Sequence, residues 1–300
     1  MAGYVTVFKA KACAKESVPT YIHHNYLPYL LYVDTHINLP QKIMNTPYAL
    51  VTGASSGIGY EYAVAMARRR YQLIVVSNED AIHDKAAELR RRFPDIDVRS
   101  LVIDLGVQDA AQRLYLWCEE QQLEVEVLIN NAGVYHDRDF LADSPAFNAL
   151  ILNLHVFTPA MLTYYFGQAM QARRKGYVLN MSSVTSNYGI QRMSTYASTK
   201  AFLRYFSSSL HIELRRQGVS VTCVRPGAVA TPLYSISPRA MRLGLAVGAI
   251  VRPEQLAETG VKALFSGKHE ITPGFFTKIL NIVPFIPIGV LRLIRRWGWF

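Results

Sequence analysis

Between positions 182 and 200 the chain reads Ser-Ser-Val-Thr-Ser-Asn-Tyr-Gly-Ile-Gln-Arg-Met-Ser-Thr-Tyr-Ala-Ser-Thr-Lys, and three groups in it can do chemistry together. Tyr196 and Lys200 stand four apart, so on a helix they share one face. A serine at the start of the stretch can meet them from a loop. A phenol, an ammonium and a hydroxyl converging at one point suit proton transfer to or from a carbonyl or alcohol. Two elements have to deliver them. The apolar run from Tyr177 to Met181 reads as a buried strand, and Thr195 to Arg216 reads as a long helix.

Composition limits what else the chain does. Of its 300 residues half are hydrophobic and 18% are charged, which is globular composition. The net charge of +10 invites a nucleic-acid reading, but the cations do not form a stripe. Arg68 to Arg70, Arg90 to Arg92, Arg173 to Lys175 and Arg215-Arg216 each close a helical pattern, where they complement the helix dipole. We therefore expect no nucleic-acid partner. The three cysteines, Cys13, Cys118 and Cys223, are far apart and offer neither metal spacing nor a disulfide framework. No metal site is expected, and a reducing, cytoplasmic setting fits the thiols.

Residues 1–43 differ from the rest, with Pro19, Pro28 and Pro40 interrupting any period. They are read as an N-terminal extension, with Met44 an alternative natural start. From Tyr48 the pattern is regular. Short apolar runs at residues 49–52, 73–76, 98–103, 125–129, 176–181 and 219–224 alternate with helical stretches. Helices are expected after the first turn to about Arg70, around residues 84–92, 108–121 and 145–174, and over 195–216. Pro159 should kink or break the fourth of these. Strands alternating with helices imply a parallel sheet of about seven strands, with helices on both faces, in one doubly wound α/β domain over residues 44–274.

The first strand runs into Gly53-Ala54-Ser55-Ser56-Gly57-Ile58-Gly59 and then a helix. Glycines there allow a tight turn and close approach of backbone to a pyrophosphate at a helix start. With Thr52 this turn resembles the cofactor motif of the short-chain dehydrogenase/reductase family. Asn130-Asn131-Ala132-Gly133 after the fourth strand resembles a second signature of that family. Tyr196 and Lys200, with Ser183 thirteen residues before Tyr196, match its catalytic set, and Pro226-Gly227 with Thr231-Pro232 is similar to its nicotinamide-side loop.

The resemblance implies a Rossmann-type fold, an NAD(P) cofactor and carbonyl/alcohol chemistry. It places the cofactor against Gly53, Ser55, Ser56, Gly57, Ile58 and Gly59, and against Asp104 and Leu105 at the adenine. Asn131, Ala132, Gly133, Tyr196, Lys200, Pro226, Gly227, Val229 and Thr231 complete the cleft. Asp104 has a second reading, as a cap for the segment from Val107. Asn130 either contacts the cofactor or ties neighbouring strands. At the end of the second strand, where an acid would select NAD and an arginine NADP, the chain has Ser77 and Asn78. The missing acid favours NADP over NAD, while Glu79 and Asp80 nearby would repel a 2′-phosphate.

In the implied mechanism Tyr196 is the general acid/base, Lys200 lowers its pKa and holds a ribose, and Ser183 orients the substrate oxygen. Ser182 is expected to pack or cap. Asn153 is the implied fourth member, holding a water between Lys200 and solvent.

The stretch from about 232 to 250 matches the family's substrate lid. Its apolar side chains suggest a hydrophobic ketone or alcohol of ketoacyl, steroid or lipid type. Residues 275–300 form an apolar and basic amphipathic tail with Trp297 and Trp299, suited to peripheral contact with a membrane surface. Relatives pair through their long helices, so a homodimer or homotetramer is expected. The rival class is a non-enzymatic dinucleotide-binding redox sensor or scaffold. Such a protein has no need to keep Ser183, Tyr196, Lys200 and Asn153 together.

Overall fold

The computed structural model describes residues 46–135, 137–231, 237–274 and 277–278. The extension over 1–43 and nearly all of the tail lie outside these residues, as do residues 232–236 of the lid. What is described is the α/β body.

Among the described residues nine strands follow in chain order: β1 (Tyr48–Thr52), β2 (Gln72–Ser77), β3 (Val98–Val102), β4 (Val125–Asn130), β5 (Gly176–Met181), β6 (Val219–Val224), β7 (Ala228–Val229), β8 (Ile250–Val251) and β9 (Glu270–Ile271). The helices are α1 (Gly57–Ala67), α2 (Ala81–Arg92), α3 (Ala110–Glu120), α4 (Pro145–Leu152), α5 (Thr158–Ala172), α6 (Ser194–Arg215), α7 (Pro238–Ala246) and α8 (Pro253–Phe265). Seven strands form one parallel sheet in the order β3-β2-β1-β4-β5-β6-β9, and β7 pairs with β8 apart from it.

The burial of the strands explains their composition. Every residue of β2 and β4 is buried, as parallel strands covered on both faces must be. One apolar layer packs α1, α2 and α8 against the sheet through Tyr62, Met66, Leu89, Val261 and Leu264. The opposite layer uses Leu114 of α3 and Leu162, Phe166 and Met170 of α5. At roughly 1.5–3 kcal/mol per fully buried large apolar side chain, these two layers dominate stability.

The order also locates the cleft. From β1 the chain winds one way to β3, then returns to start again at β4 on the other side of β1. Helices leave in opposite directions at that junction and open a crevice beyond the strand ends, where open α/β sheets bind ligands.

The arginine clusters do lie at helix ends. Arg90 to Arg92 occupy the last turn of α2, and Arg70 and Arg174 adopt left-handed φ of 62° and 53° just past α1 and α5. The long helix expected over 145–174 is broken. A π turn, Asn153–Phe157, separates α4 from α5, and Thr158 N bonds back five residues to the Asn153 carbonyl. Pro159 explains the break, because it has no N–H to give the carbonyl of residue 155. Residues 145–172 are apolar and long enough to cross a membrane, yet α5 packs its large side chains into the core of this sheet.

Candidate active site

A cleft of about 440 Å³ lies at the β1/β4 junction. It is lined by Gly53, Ser55, Ser56, Gly57, Ile58 and Gly59 from the first turn, and by Ser77, Asn78, Asp104 and Leu105 beside it. Asn131, Ala132, Gly133, Ser183, Tyr196, Lys200, Pro226, Gly227, Val229 and Thr231 form the remainder of the expected wall. Ile103, Val134, Leu150, Leu154 and Met181 add an apolar border that motif reasoning did not name.

The glycine turn is required by close packing. Gly53 has φ +65°, and a Cβ on Gly59 would lie 2.0 Å from the Gly53 carbonyl oxygen. Thr52 and Asn131 brace the turn from beneath. Thr52 Oγ1 accepts from the backbone N–H of Asn131 and of Ala132, both at 3.0 Å. Asn131 Nδ2 in turn donates to the Thr52 carbonyl at 3.0 Å and the Gly53 carbonyl at 3.2 Å. The Asn131 side chain thus shapes the cradle through its backbone.

Asn130 serves the sheet. Its Nδ2 donates to Asn180 Oδ1 on β5 at 2.8 Å and to Thr163 Oγ1 on α5 at 3.3 Å. Of its two readings, the strand tie is the one formed. Asp104 Oδ1 accepts from the Gly106 N–H at 2.8 Å, stiffening its own loop, and α3 begins later, at Ala110.

At the end of β2, Ser77 is buried and donates to Ser55 Oγ at 3.1 Å, while its own oxygen accepts from the Glu79 N–H at 3.3 Å. Asn78 and Glu79 are exposed there. The charged residues that line the cleft, among the described residues, are Glu79, Asp104 and Lys200.

At the other end, Lys200 is buried and donates from Nζ to the Met181 carbonyl at 2.9 Å. Its nitrogen lies 5.5 Å from the centre of the Tyr196 ring. Burial pulls the lysine down to about 8. Ser182 also borders the cleft, but its hydroxyl is committed to the Lys200 carbonyl at 2.6 Å, as a packing residue's would be. Ser183 accepts from the Thr185 N–H at 3.2 Å, and its carbonyl accepts from Ser186 Oγ at 2.6 Å.

A buried ion network supports that turn. Arg225 is fully buried, donates to Ser186 Oγ at 3.0 Å and pairs with Glu270 at 2.6 Å. Glu270 also holds Arg204 of α6 at 2.8 Å. The two guanidinium groups outweigh burial and keep the Glu270 carboxyl below its ordinary range.

Asn153 is the expected site residue that is not brought to the cleft. It opens the π turn and is not among the lining residues. Two positions on, His155 is buried against Tyr196 with ring centroids 5.8 Å apart, edge to face. Sequence reasoning passed over it. The available signal was Pro159, which forces the helix open at that point.

A family model described as short chain dehydrogenase matches residues 47–240. The chain belongs to that family. This short-chain dehydrogenase is 29% identical over 259 residues to the very-long-chain 3-oxoacyl-CoA reductase of Mus musculus, covering 84% of this chain and 77% of that one. It is also 29% identical over 194 residues to the Macaca fascicularis protein of the same name, of which the alignment spans 61%, and 63% of this chain. Among solved structures it superposes on a short-chain dehydrogenase from Sphingobium yanoikuyae in complex with NADPH, with a TM-score of 0.67 and 26% identity, covering 76% of this chain and 87% of that one. A bulky-bulky ketone specific alcohol dehydrogenase from Comamonas testosteroni is similar at TM-score 0.67 and 25% identity, over 76% and 86%.

The family uses NAD(P), and the cleft of this short-chain dehydrogenase fits that group. Its glycine cradle leaves no room for a Cβ on Gly59, and its far wall holds Thr231, whose buried Oγ1 has no hydrogen-bond partner among the described residues. The turn Gly53–Gly59 would hold the pyrophosphate at the start of α1. Thr231 and the Pro226-Gly227 backbone would hold the nicotinamide end.

Proposed function

We propose that this short-chain dehydrogenase interconverts a hydrophobic ketone and its secondary alcohol, of ketoacyl, steroid or lipid type, with Tyr196 as the general acid/base. The observation that carries this reading is the meeting of Ser183, Tyr196 and Lys200 at one end of a cleft whose other end is the glycine cradle. A nicotinamide held in this cleft would supply or accept the hydride. Tyr196 gives the carbonyl oxygen its proton in reduction and takes it back in oxidation. A phenol is a weak acid and a weaker base at neutral pH, so the Lys200 ammonium, 5.5 Å from the ring centre, is needed to favour its charged form. Ser183 positions the substrate oxygen against Tyr196. Lys200 would also hold a ribose hydroxyl of the bound cofactor.

The apolar border formed by Val134, Leu150, Leu154 and Met181 supports a lipid-like substrate. So do the names of the relatives, which are reductases of very-long-chain 3-oxoacyl thioesters. A screen of NADH and NADPH consumption over ketoacyl thioesters, steroids and simple ketones tests this. Turnover confined to small polar ketones would sink the substrate class, and no turnover at all would favour the sensor. Retention of Tyr196 and Lys200 together argues for the enzyme.

The same proposal extends to assembly and location. Tyr164 on α5 and Tyr205 and Ile212 on α6 are exposed, the last at 76%, and offer an apolar face for pairing of copies. Light scattering that found a monomer would remove a dimer or tetramer. Peripheral membrane contact rests on the sequence of residues 275–300. Flotation with vesicles should weaken when the chain ends near Gly274.

A further inference from the structure

His155 is 1% exposed and is engaged at both ring nitrogens. Nε2 accepts the backbone N–H of Val134 at 3.0 Å. Nδ1 lies 3.1 Å from Thr199 Oγ1. A backbone N–H can only donate, so Nε2 carries no proton and the ring hydrogen sits on Nδ1. That hydrogen points to Thr199 Oγ1, whose own hydrogen goes to the Tyr196 carbonyl at 2.8 Å. Every donor in this short chain therefore has an acceptor, in one direction only.

The same ring fixes two spacings. Its edge-to-face contact with Tyr196 sets where the phenol stands. On the cofactor side it fills the space beside Gly133, where a Cβ would lie 2.8 Å from Nε2. The wall that leaves β4 and the first turn of α6 are thus held at a fixed distance by a single rigid side chain. The π turn makes this possible, because the extra residue rotates position 155 inward ahead of Pro159. Burial, with the Lys200 charge adding to it, holds the imidazole well below its ordinary pKa, in keeping with a neutral ring.

We propose that His155 is a positioning residue for hydride transfer, its neutral Nδ1-protonated ring setting the gap between the Gly133–Val134 wall and Tyr196. The kinetic consequence rests on the carbonyl/alcohol reaction proposed above, and the tautomer does not.

Both are tested on the full chain. Nitrogen-15 histidine spectra of the cofactor-loaded protein should show His155 as the Nδ1–H tautomer, with no titration across the neutral range. A ring that titrates near the usual histidine value, or carries its proton on Nε2, overturns the proposal whether or not a substrate is known. His155→Ala should lower kcat roughly 10- to 100-fold, the cost of a misplacement near 1 Å, with a much smaller change in KM. His155→Asn, which keeps one polar end, should recover part of that loss. Wild-type kcat in His155→Ala overturns the role. Should His155→Ala fail to fold, Thr199→Val removes the Nδ1 partner, together with the Thr199 bond to the Tyr196 carbonyl, and keeps the imidazole ring. It should shift the tautomer signal and reduce kcat severalfold, and an unchanged spectrum with unchanged kcat would overturn the proposal equally.

Discussion

The Lys200 ammonium stands 5.5 Å from the centre of the Tyr196 ring while donating to the Met181 carbonyl at the end of β5. One cation is thereby tied to the strand and directed at the phenol. Its burial brings it down from 10.5 to about 8, so its charge is lost as pH rises through about 8. Activity that depends on that charge is fully present below this value and declines above it. The kcat/KM profile for carbonyl reduction, which reports the free enzyme, should bend downward near pH 8. Folding responds with the opposite sign. Between about 8 and 10.5 the unfolded chain binds the extra proton, so stability should rise with pH across that window. A rate profile flat throughout it would count against Lys200 as the partner of Tyr196.

Tyr196→Phe removes the proton donor and keeps the ring that packs on His155. Turnover should fall by roughly 10²–10⁴, with the midpoint of thermal unfolding nearly unchanged. Full activity in this variant would place the acid/base elsewhere.

Cofactor choice turns on the end of β2. Glu79 lines the cleft there with Ser77 and Asn78, and its carboxylate disfavours a 2′-phosphate. Glu79→Arg should improve NADPH over NADH by about tenfold, and Ser77→Asp should move the preference toward NADH. Paired titrations by cofactor fluorescence read both. Equal ratios in all three proteins would mean that the ribose lies away from this strand end.

Gly59→Ala puts a methyl 2.0 Å from a carbonyl oxygen across the turn. The backbone of Gly53 must then move, and the anion cradle with it. Loss of cofactor binding by at least about tenfold is expected in calorimetry, since one pyrophosphate contact of this kind is worth about 1.5 kcal/mol or more. Unaltered affinity would show that the pyrophosphate sits off this turn.

Arg225→Met leaves the Ser186 turn without its buried donor and Glu270 with half its counter-charge. Removing one member of a buried pair costs about 3–5 kcal/mol, which denaturant unfolding would resolve easily. A loss under about 1 kcal/mol would mean that Arg204 alone satisfies Glu270.

Much of this architecture was readable from local pattern. The strand alternation depends on residues next to one another, and so do the glycine turn and the four-residue step from Tyr196 to Lys200. Each therefore survives translation into structure. What failed to transfer was Asn153. Helical counting assumes 3.6 residues per turn, and the π turn adds one residue within that interval, so the inward position moved to His155. Beyond the break that Pro159 signals, a buried histidine with two neutral partners carries no local sequence signature, because Val134 and Thr199 lie 21 and 44 residues away. Arg225 was hidden for a related reason. An arginine after a strand reads as solvated until Glu270 is known to arrive beside it.

The Asn130–Asn180 bond has a consequence for assembly. These two amides are directly opposed in the β4/β5 ladder and are the polar pair in an otherwise apolar register. Sliding one strand by a single residue would set Asn130 against Leu179 or Met181 and send the rest of the strand to the wrong face. Each stranded amide would cost about 1–3 kcal/mol. The pair thus works as an alignment pin during folding. It brings the segment after β4, with its cofactor wall, and the segment after β5, with Ser183, out of the sheet in phase.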